Sequence, residues 1–382
     1  MLQTEERQFQ EAKEQHDHEM QNLLNKNQHF QKIQQRLQLL RRLHNEVRPI
    51  EEEIELQNQE AQKKINNQQP VMVRDSLKFK DPYEDYKILK CIEEGAFGKV
   101  HKARNLKTGH LVAIKIQDCT NDNFMDLYEE CKLLESFNHQ NIPKVMDKYY
   151  WEQKFYICME LCAGGDLTDI YMGTGSLKES QVAFVAKEVL ETLLYLHQKG
   201  YVHRDIKPNN ILLTDAGEVR LVDFGSMSSI QTEKPTFIDG TPAYLAPEYV
   251  LEDLNGDYDE RCDVWSLGMT LLELAEGRLP LLLTSSYSYC KYWQQKNRVP
   301  QLRKRDKWSP AFHSFLEDAL TLDPAMRPSV EKLLQHEFLS NVEHEPSPLK
   351  RRLRRTKFLR RIRKFFNYGK LGVRMICRCV HK

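Results

Sequence analysis

The chain has 382 residues, of which 40% are apolar and 29% charged, and its 56 Lys/Arg against 55 Asp/Glu leave a formal net charge of +1. No apolar run approaches the roughly 18 to 20 residues that a membrane-spanning helix needs, and the polar N-terminus argues against a cleaved secretory signal. Nine scattered cysteines without paired CxxC clusters argue against a zinc site and a disulfide framework, so we expect a soluble cytoplasmic protein.

Residues 1–70 form a Gln-rich segment without glycine, and residues 71–85 follow as a linker. Apolar residues recur at three- and four-residue spacing, cleanly only from Phe30 to Val47. This spacing predicts a helical or coiled-coil segment that mediates self-association. A partly helical, disordered leader is the alternative, because a coiled coil needs about three or four sustained heptads.

From residue 86 to residue 340 the chain alternates short β-branched runs with longer amphipathic runs. The first are predicted strands and the second predicted helices: Lys99–Arg104, Leu111–Gln117, Phe155–Leu161, Gln181–His197 and Val264–Ala275. Strands dominate the first third and helices the rest. This order predicts an α+β fold of two lobes, at 86–162 and 163–340, rather than a repeating βαβ sheet.

Five short motifs in this region carry residue types suited to phosphate chemistry. They are IEEGAFGKV at 92–100, VAIK ending at Lys115, HRDIKPNN at 203–210, DFG at 223–225 and APE at 246–248. The two glycines of the first motif would allow a hairpin backbone to approach a phosphate closely. Lys115 closes an apolar strand, where an unpaired ammonium is costly, and therefore requires an anionic partner.

With these ordered motifs the sequence resembles the eukaryotic protein kinases over about 250 residues. Lys207 makes it more similar to Ser/Thr than to Tyr kinases, and the stretches MELCAGGDLTDI and PTFIDGTPAY are similar to the STE20-like branch. The resemblance implies a two-lobed protein kinase fold with a β-rich N-lobe and a helical C-lobe. It also implies transfer of the γ-phosphoryl group of ATP, with Mg²⁺, to Ser/Thr hydroxyls of protein substrates.

The resemblance assigns the catalytic roles residue by residue. Asp205 is expected to be the catalytic base, and Lys207 is expected to neutralise the γ-phosphate. Lys115 is expected to hold the α- and β-phosphates. Glu130, preferred over Glu129, is expected to orient Lys115 from the helix that precedes the next strand.

Asn210 and Asp223 are implied as the Mg²⁺ ligands, since both offer hard oxygen donors. The implied nucleotide contacts, besides Lys115, are Ile92, Gly95, Ala96, Phe97, Gly98, Val100, Ala113, Met159, Glu160, Cys162, Asp166 and Leu212. Supporting contacts are implied as well, in an apolar column and two polar anchors: Leu134 with His203 and Phe224, Asp263 with the catalytic loop, and Arg327 with Glu248.

One departure from the family pattern touches the nucleotide site. Glu93 stands where the first glycine of the nucleotide loop is usual. Since like charges repel, we expect this carboxylate to weaken ATP affinity without abolishing activity. The alternative function is a kinase-like scaffold with weak or no catalysis, which assembles partners through its N-terminal helix and basic tail.

The segment between the DFG and APE motifs suggests regulation by phosphorylation. Thr236 is the expected phosphorylation site, and Arg204, beside the catalytic Asp205, is the expected cation for that phosphate. Thr241 is instead expected to contact Asp205 and Lys207 and to help select Ser/Thr hydroxyls.

The charge is unevenly distributed, because residues 346–382 hold fourteen Lys/Arg and no acid, against 42 Lys/Arg and 55 Asp/Glu before them. The pattern of residues 341–382 predicts a basic amphipathic tail. Its apolar residues Leu353, Leu359, Ile362 and Phe366 are predicted near one helical face. Residues 350–366 are expected to bind an anionic membrane surface peripherally, or an acidic partner such as a calmodulin-type protein. A tail folded onto the acidic body competes with these readings, and we do not expect nucleic acid to be the partner.

Overall fold

The computed structural model describes residues 77–95, 98–120, 123–230, 240–250, 259–279, 288, 292, 299–342 and 347–358. The coiled-coil prediction for residues 1–70 and the tail beyond residue 358 lie outside the described residues. So do three predicted site residues: Ala96, Phe97 and Thr236.

Five antiparallel strands form the N-terminal lobe in the spatial order β1-β2-β3-β5-β4. They are β1 Tyr86–Gly95, β2 Gly98–Asn105, β3 Leu111–Asp118, β4 Val145–Trp151 and β5 Lys154–Glu160. Aromatic and β-branched residues from these strands form one buried cluster, as expected of a half-buried sheet. Helix α1, Phe124–Ser136, joins the lobe through Phe124, whose ring meets Tyr150 and Phe155 edge to face.

Helices dominate the C-terminal lobe. They are α2 Leu167–Thr174, α3 Glu179–Gln198, α4 Pro247–Val250, α5 Arg261–Glu276, α6 Pro310–Ala319, α7 Val330–Leu334 and α8 at 350–358. Every residue of α5 from Cys262 to Ala275 is buried, so this helix lies in the centre of the lobe. Short 3-10 turns connect the elements at Pro82–Glu84, Pro208–Asn210, Phe224–Ser226, Pro242–Tyr244, Arg305–Lys307 and Glu337–Leu339.

Two small sheets belong to the C-terminal lobe. Strands β6 Gly165–Asp166, β8 Ile211–Leu213 and β9 Val219–Leu221 form one, and β7 Tyr201–Val202 pairs with β10 Ser228–Ser229 in the other. Strands followed by helices confirm the α+β, two-lobed prediction. Within the described residues no helix is both long and apolar enough to cross a bilayer.

The described part of the tail packs on the body of the protein. Residues 347–358 pack against the C-terminal lobe, where Leu349 is 0% and Leu353 1% exposed. The other residues predicted on the same helical face as Leu353, namely Leu359, Ile362 and Phe366, lie outside the described residues. The burial of Leu353 agrees with the alternative of a tail folded onto the body, because helical spacing identifies an apolar stripe but not the surface that covers it.

Candidate active site

A cavity of about 210 Å³ opens between the two lobes. All of the predicted nucleotide contacts that the structure describes line it except Asp166. Val100 and Ala113 come from the N-terminal lobe and Leu212 from β8, so apolar side chains face the cavity from both lobes. A flat aromatic base fits between apolar walls of this kind, while polar groups at the edge fix its orientation.

The β1–β2 hairpin closes one side of the cavity, and Gly95 pairs with Gly98 at its end. Gly98 has φ +111°, and a Cβ added there would lie 2.3 Å from the carbonyl oxygen of Ile116. Only glycine therefore fits this position.

The Glu93 carboxylate lines the same cavity, opposite Val100 in the hairpin register. Burial raises the pKa of Glu93, and the charges of Asp223 and Asp166 raise it further, although Lys207 and Lys115 act in the opposite direction. The departure from the family pattern therefore puts an extra negative group inside the site.

Lys115 and Glu130 line the cavity and form an ion pair. The distance from Lys115 Nζ to Glu130 Oε1 is 3.1 Å, and the two side chains are 16% and 25% exposed. Strand β3 supplies the lysine and helix α1 the glutamate, so the pair joins these two elements. Glu129, the alternative weighed from sequence, is exposed.

Asp205 is the centre of a hydrogen-bond cluster on the loop at 203–210, the predicted catalytic loop. Its carboxylate accepts from Lys207 Nζ at 2.6 Å and from Thr241 Oγ1 at 2.7 Å, and Lys207 Nζ also donates to Thr241 Oγ1 at 2.7 Å. Asn210 Nδ2 donates to the Asp205 backbone oxygen at 2.9 Å and to its Oδ2 at 2.8 Å. The structure thus brings four predicted site residues into direct contact.

Asn210 and Asp223 both line the cavity, and their side-chain oxygens are the donors that Mg²⁺ prefers. Asp223 has φ +66°, a left-handed conformation that non-glycine residues adopt mainly at special sites. Among the described residues no three His, Cys, Asp or Glu side chains are clustered to hold a metal ion. One carboxylate and one amide fit Mg²⁺, which takes its remaining ligands from phosphates and water.

The predicted supporting contacts surround the catalytic loop. Phe224 packs on His203 with ring centroids 5.2 Å apart. Fully buried Asp263 accepts from the backbone N–H of His203 at 2.9 Å and of Arg204 at 2.8 Å, and His197 Nε2 lies 2.9 Å from its Oδ2. Burial alone would raise the pKa of Asp263, but the contacts with His197 and His203 hold it below its usual value. Its charge therefore fixes the loop backbone.

Two arginines hold the segment that follows the DFG motif. Arg327 forms a fork to Glu248 with distances of 2.6 and 3.0 Å, and both side chains are almost fully buried. Arg204, 7% exposed, donates to the Ser226 carbonyl and to the Tyr249 hydroxyl, the latter at 3.1 Å. The expected phosphate-binding cation thus already has neutral acceptors.

Sequence reasoning missed one side chain near the site, Arg220, and did not foresee the cap that Asp166 forms. The guanidinium of Arg220 on β9 donates to both oxygens of the Glu160 carboxylate, at 3.1 and 3.0 Å. This pair joins the end of β5 to the C-terminal lobe. The only sequence signal of Arg220 is a charged residue between two apolar ones. Asp166, a predicted ribose contact, uses its carboxylate to cap α2 by accepting from Asp169 N at 2.8 Å.

Comparison with known proteins agrees with this arrangement. A model of the protein kinase domain matches residues 86–339, and the chain therefore belongs to the protein kinase family. It is similar to mitogen-activated protein kinase kinase kinase kinase 3 of Homo sapiens, with 41% identity over 269 residues, covering 69% of this chain and 30% of that protein. It is also similar to Serine/threonine-protein kinase 10 of Xenopus tropicalis, with 38% identity over 277 residues, covering 69% and 28%.

A third relative, Serine/threonine-protein kinase 1 of Arabidopsis thaliana, is 34% identical over 309 residues, covering 79% of this chain and 36% of that protein. These relatives confirm the resemblance to STE20-like Ser/Thr kinases. The chain spans about a third of the length of each.

Proposed function

We propose that this chain is a protein Ser/Thr kinase that transfers the γ-phosphoryl group of ATP to Ser and Thr hydroxyls of protein substrates. The observation that carries the proposal is the joint presence, around one cavity, of the Lys115–Glu130 pair and the Asp205–Lys207–Thr241 cluster. Phosphoryl transfer needs positioning and charge neutralisation more than covalent help, and these groups supply both.

Each side chain has a distinct task in this account. Lys115, kept in place by Glu130, binds the phosphates nearest the sugar, and Asp205 orients the substrate hydroxyl and accepts its proton. Lys207, which contacts Asp205, neutralises charge that develops on the transferred group. Asn210 and Asp223 would hold Mg²⁺, which would supply positive charge to offset the charge of the phosphates.

Thr241 supports specificity for aliphatic hydroxyls. It lies between Asp205 and Lys207 and hydrogen-bonds both at 2.7 Å. A short Ser or Thr side chain of the substrate has to reach Asp205. The Thr241 hydroxyl holds the Asp205 carboxylate and the Lys207 ammonium in fixed positions to receive it.

The competing function is a kinase-like scaffold with weak catalysis, and Glu93 is the feature that favours it. The observed pairing of Lys115 with Glu130 opposes it. A degenerate site has no need for a lysine and a glutamate, on two separate elements, to meet at 3.1 Å.

The test is Mg²⁺-dependent transfer of labelled γ-phosphate by the purified chain to itself and to a generic basic protein. Asp223→Ala is the control for contaminating kinases. We expect transfer to Ser and Thr that disappears in the variant. Transfer no greater than that of Asp223→Ala, with folded protein and with Thr236 phosphorylated or mimicked, would overturn the proposal.

We further propose that phosphorylation of Thr236 activates the enzyme and that Arg204 pairs with the added phosphate. Arg204 lies next to Asp205, so a phosphate that engages it would order the segment beside the catalytic base. Thr236→Ala should then lower activity, whereas Arg204→Ala should remove the response to phosphorylation. An undiminished response in Arg204→Ala would contradict this assignment.

For the two ends of the chain we propose a cytoplasmic enzyme that self-associates through residues 1–70 and meets anionic surfaces through its basic tail. The exposed side chains of α8 include Lys350, Arg351, Arg354 and Arg355, which supports an electrostatic contact. Binding to anionic vesicles that persists at high salt would contradict this account, because screened charges could not carry it.

A further inference from the structure

Residues 347–358, termed the anchor segment below, lie beyond the kinase-domain match at 86–339 and yet form part of the C-terminal core. Leu349 and Leu353 are 0% and 1% exposed, and Thr356 is 3% exposed. Because both leucines are fully buried in the core cluster of the lobe, the contact is more than an incidental touch.

Arg352 forms the polar centre of this contact. Its guanidinium donates to Thr174 Oγ1 at 2.9 Å and to the carbonyls of Gly175 and Ser176 at 2.7 and 2.6 Å. It also donates to Gln181 Oε1 at 2.6 Å, while Gln181 Nε2 donates back to the Pro348 carbonyl at 2.9 Å. These acceptors are neutral and cluster around the C-terminus of α2, where the helix dipole favours a cation and a planar fork fits several carbonyls.

The anchor segment has a second attachment at the turn between β8 and β9. Ser347 Oγ donates to the Gly217 carbonyl at 2.7 Å, and Lys357 contacts Asp215. Gly217 has φ +90°, and a Cβ added there would lie 3.0 Å from Ser347 Oγ. The turn and the anchor segment are therefore closely fitted.

The same two elements, α2 and the β8–β9 hairpin, meet beside the nucleotide site at their other ends. Asp166 caps the N-terminus of α2, and Leu212 of β8 lines the cavity. In the β6–β8 ladder Asp166 pairs directly with Leu212. An eight-residue helix is about 12 Å long, so Arg352 acts on α2 one short helix away from Asp166.

Strand pairing thus joins α2 and the β8–β9 hairpin beside the cavity, and the anchor segment joins them again at the far side. We propose that Arg352 is a positioning residue for ATP, which holds Asp166 and Leu212 in place by clamping the C-terminus of α2. This inference rests on the proposed kinase function. It adds a residue that supports the ATP site from outside the kinase-domain match at 86–339.

The test compares full-length Arg352→Ala with Arg354→Ala, which removes an exposed arginine from the same helix. Hydrogen exchange reports whether residues 347–358 and 173–176 open. Direct binding gives the Kd for ATP, and steady-state kinetics give the KM values for ATP and for a protein substrate. We expect Arg352→Ala to raise the Kd and KM for ATP by about 3- to 10-fold, the range of coupling through packed networks.

The kcat and the KM for the protein substrate should stay within about twofold, since a positioning role at the ATP site leaves the catalytic loop intact. Arg354→Ala should have the wild-type Kd and KM for ATP. Arg352→Lys should have values between those of the wild type and Arg352→Ala, because a lysine keeps the charge but lacks the planar fork. If Arg352→Ala leaves the anchor segment protected from exchange, Leu353→Asp places a carboxylate at a buried position and opens it. The same ATP comparison then decides.

An opened anchor segment with unchanged ATP affinity would overturn the inference. A lower kcat and a lower thermal stability, together with equal rises in both KM values, would overturn it too, because general unfolding would be the cause. Failure of the proposed function is distinguishable, since a wild-type chain that binds ATP without transferring phosphate still allows the Kd comparison.

Discussion

At the scale of single residues, Glu93 is the main departure from a glycine-lined nucleotide hairpin. Its carboxylate shares the cavity with Asp223, and both burial and that charge raise its pKa. A triphosphate brings still more negative charge to the same space. The extra carboxylate therefore opposes ATP binding in its ionised form and has little effect when protonated.

Replacing Glu93 with Gln should strengthen ATP binding in a pH-dependent way. The raised pKa keeps Glu93 neutral to a higher pH than an ordinary glutamate, so the gain develops as the pH rises, in a window above about 4.3. Because the side chain is partly exposed, the gain should level off at roughly 2- to 5-fold. Titration with a fluorescent ATP analogue across this pH range measures it.

Glu94→Gln is the matched control, since Glu94 is exposed and pairs with Lys99 at 2.9 Å outside the site. It should leave the pH profile of ATP binding unchanged. A Glu93→Gln profile that coincides with that of the wild type would contradict the electrostatic role of Glu93.

A second residue-scale prediction concerns the Arg327–Glu248 pair. Arg327→Ala would leave Glu248, 1% exposed, as an uncompensated buried charge. The expected loss in the free energy of unfolding is about 3 to 5 kcal/mol, measured by urea denaturation. Arg305→Ala removes an exposed arginine 3.7 Å from Glu317 and should change stability by less than about 1 kcal/mol. Equal losses in the two variants would refute this account of the buried pair.

At the scale of secondary-structure elements, the ion pair between β3 and α1 would fix where the phosphates bind in the proposed kinase. Lys115 reaches the cavity from a strand held on both sides, whereas Glu130 depends on the position of α1. Motion of α1 would therefore break the pair while leaving the sheet intact.

Glu130→Gln should lower kcat/KM for ATP by about 10- to 100-fold, because small displacements of a positioning group are costly in rate. The neighbouring exposed Glu129 offers a control on the same helix: Glu129→Gln should stay near the wild-type value. Steady-state kinetics with varied ATP separate the two. Similar losses in both variants would show that the helix as a whole, and not the ion pair, is responsible.

The elements also show what sequence patterns can predict. Strands β2, β3 and β5 and helices α3 and α5 fall where periodicity placed them, because burial against the core of each lobe enforces the period. Periodicity left open what covers Leu353, because Leu349 and Leu353 could pack on protein or on lipid equally well. Arg352, between these leucines, was the signal that could have indicated a protein surface with carbonyl acceptors.

At the scale of the whole molecule, ordered motifs made the kinase fold and the placement of its cavity-lining residues predictable. The motifs contain the residue types that one reaction requires at fixed positions, so Lys115, Asp205 and Asp223 could be singled out from sequence. Arg220 and Arg352 could not, because they act through pairs that only the tertiary fold brings together. The uneven distribution of charge between body and tail could be read from the sequence. The packing of residues 347–358 on the C-terminal lobe could not, because it depends on how the surfaces of the folded protein fit together.

The central claim is that one site, organised by Asp205, both binds ATP and transfers its phosphate to Ser and Thr. The most direct measurement combines ATP affinity with the rate of phosphate transfer for wild type and Asp205→Asn, with the exposed Asp126→Asn as control. We predict that Asp205→Asn binds ATP within about threefold of the wild type and loses about 10²- to 10⁴-fold in rate, the usual contribution of a general base. ATP binding by the wild type without transfer above that of Asp205→Asn would contradict the claim and favour the scaffold.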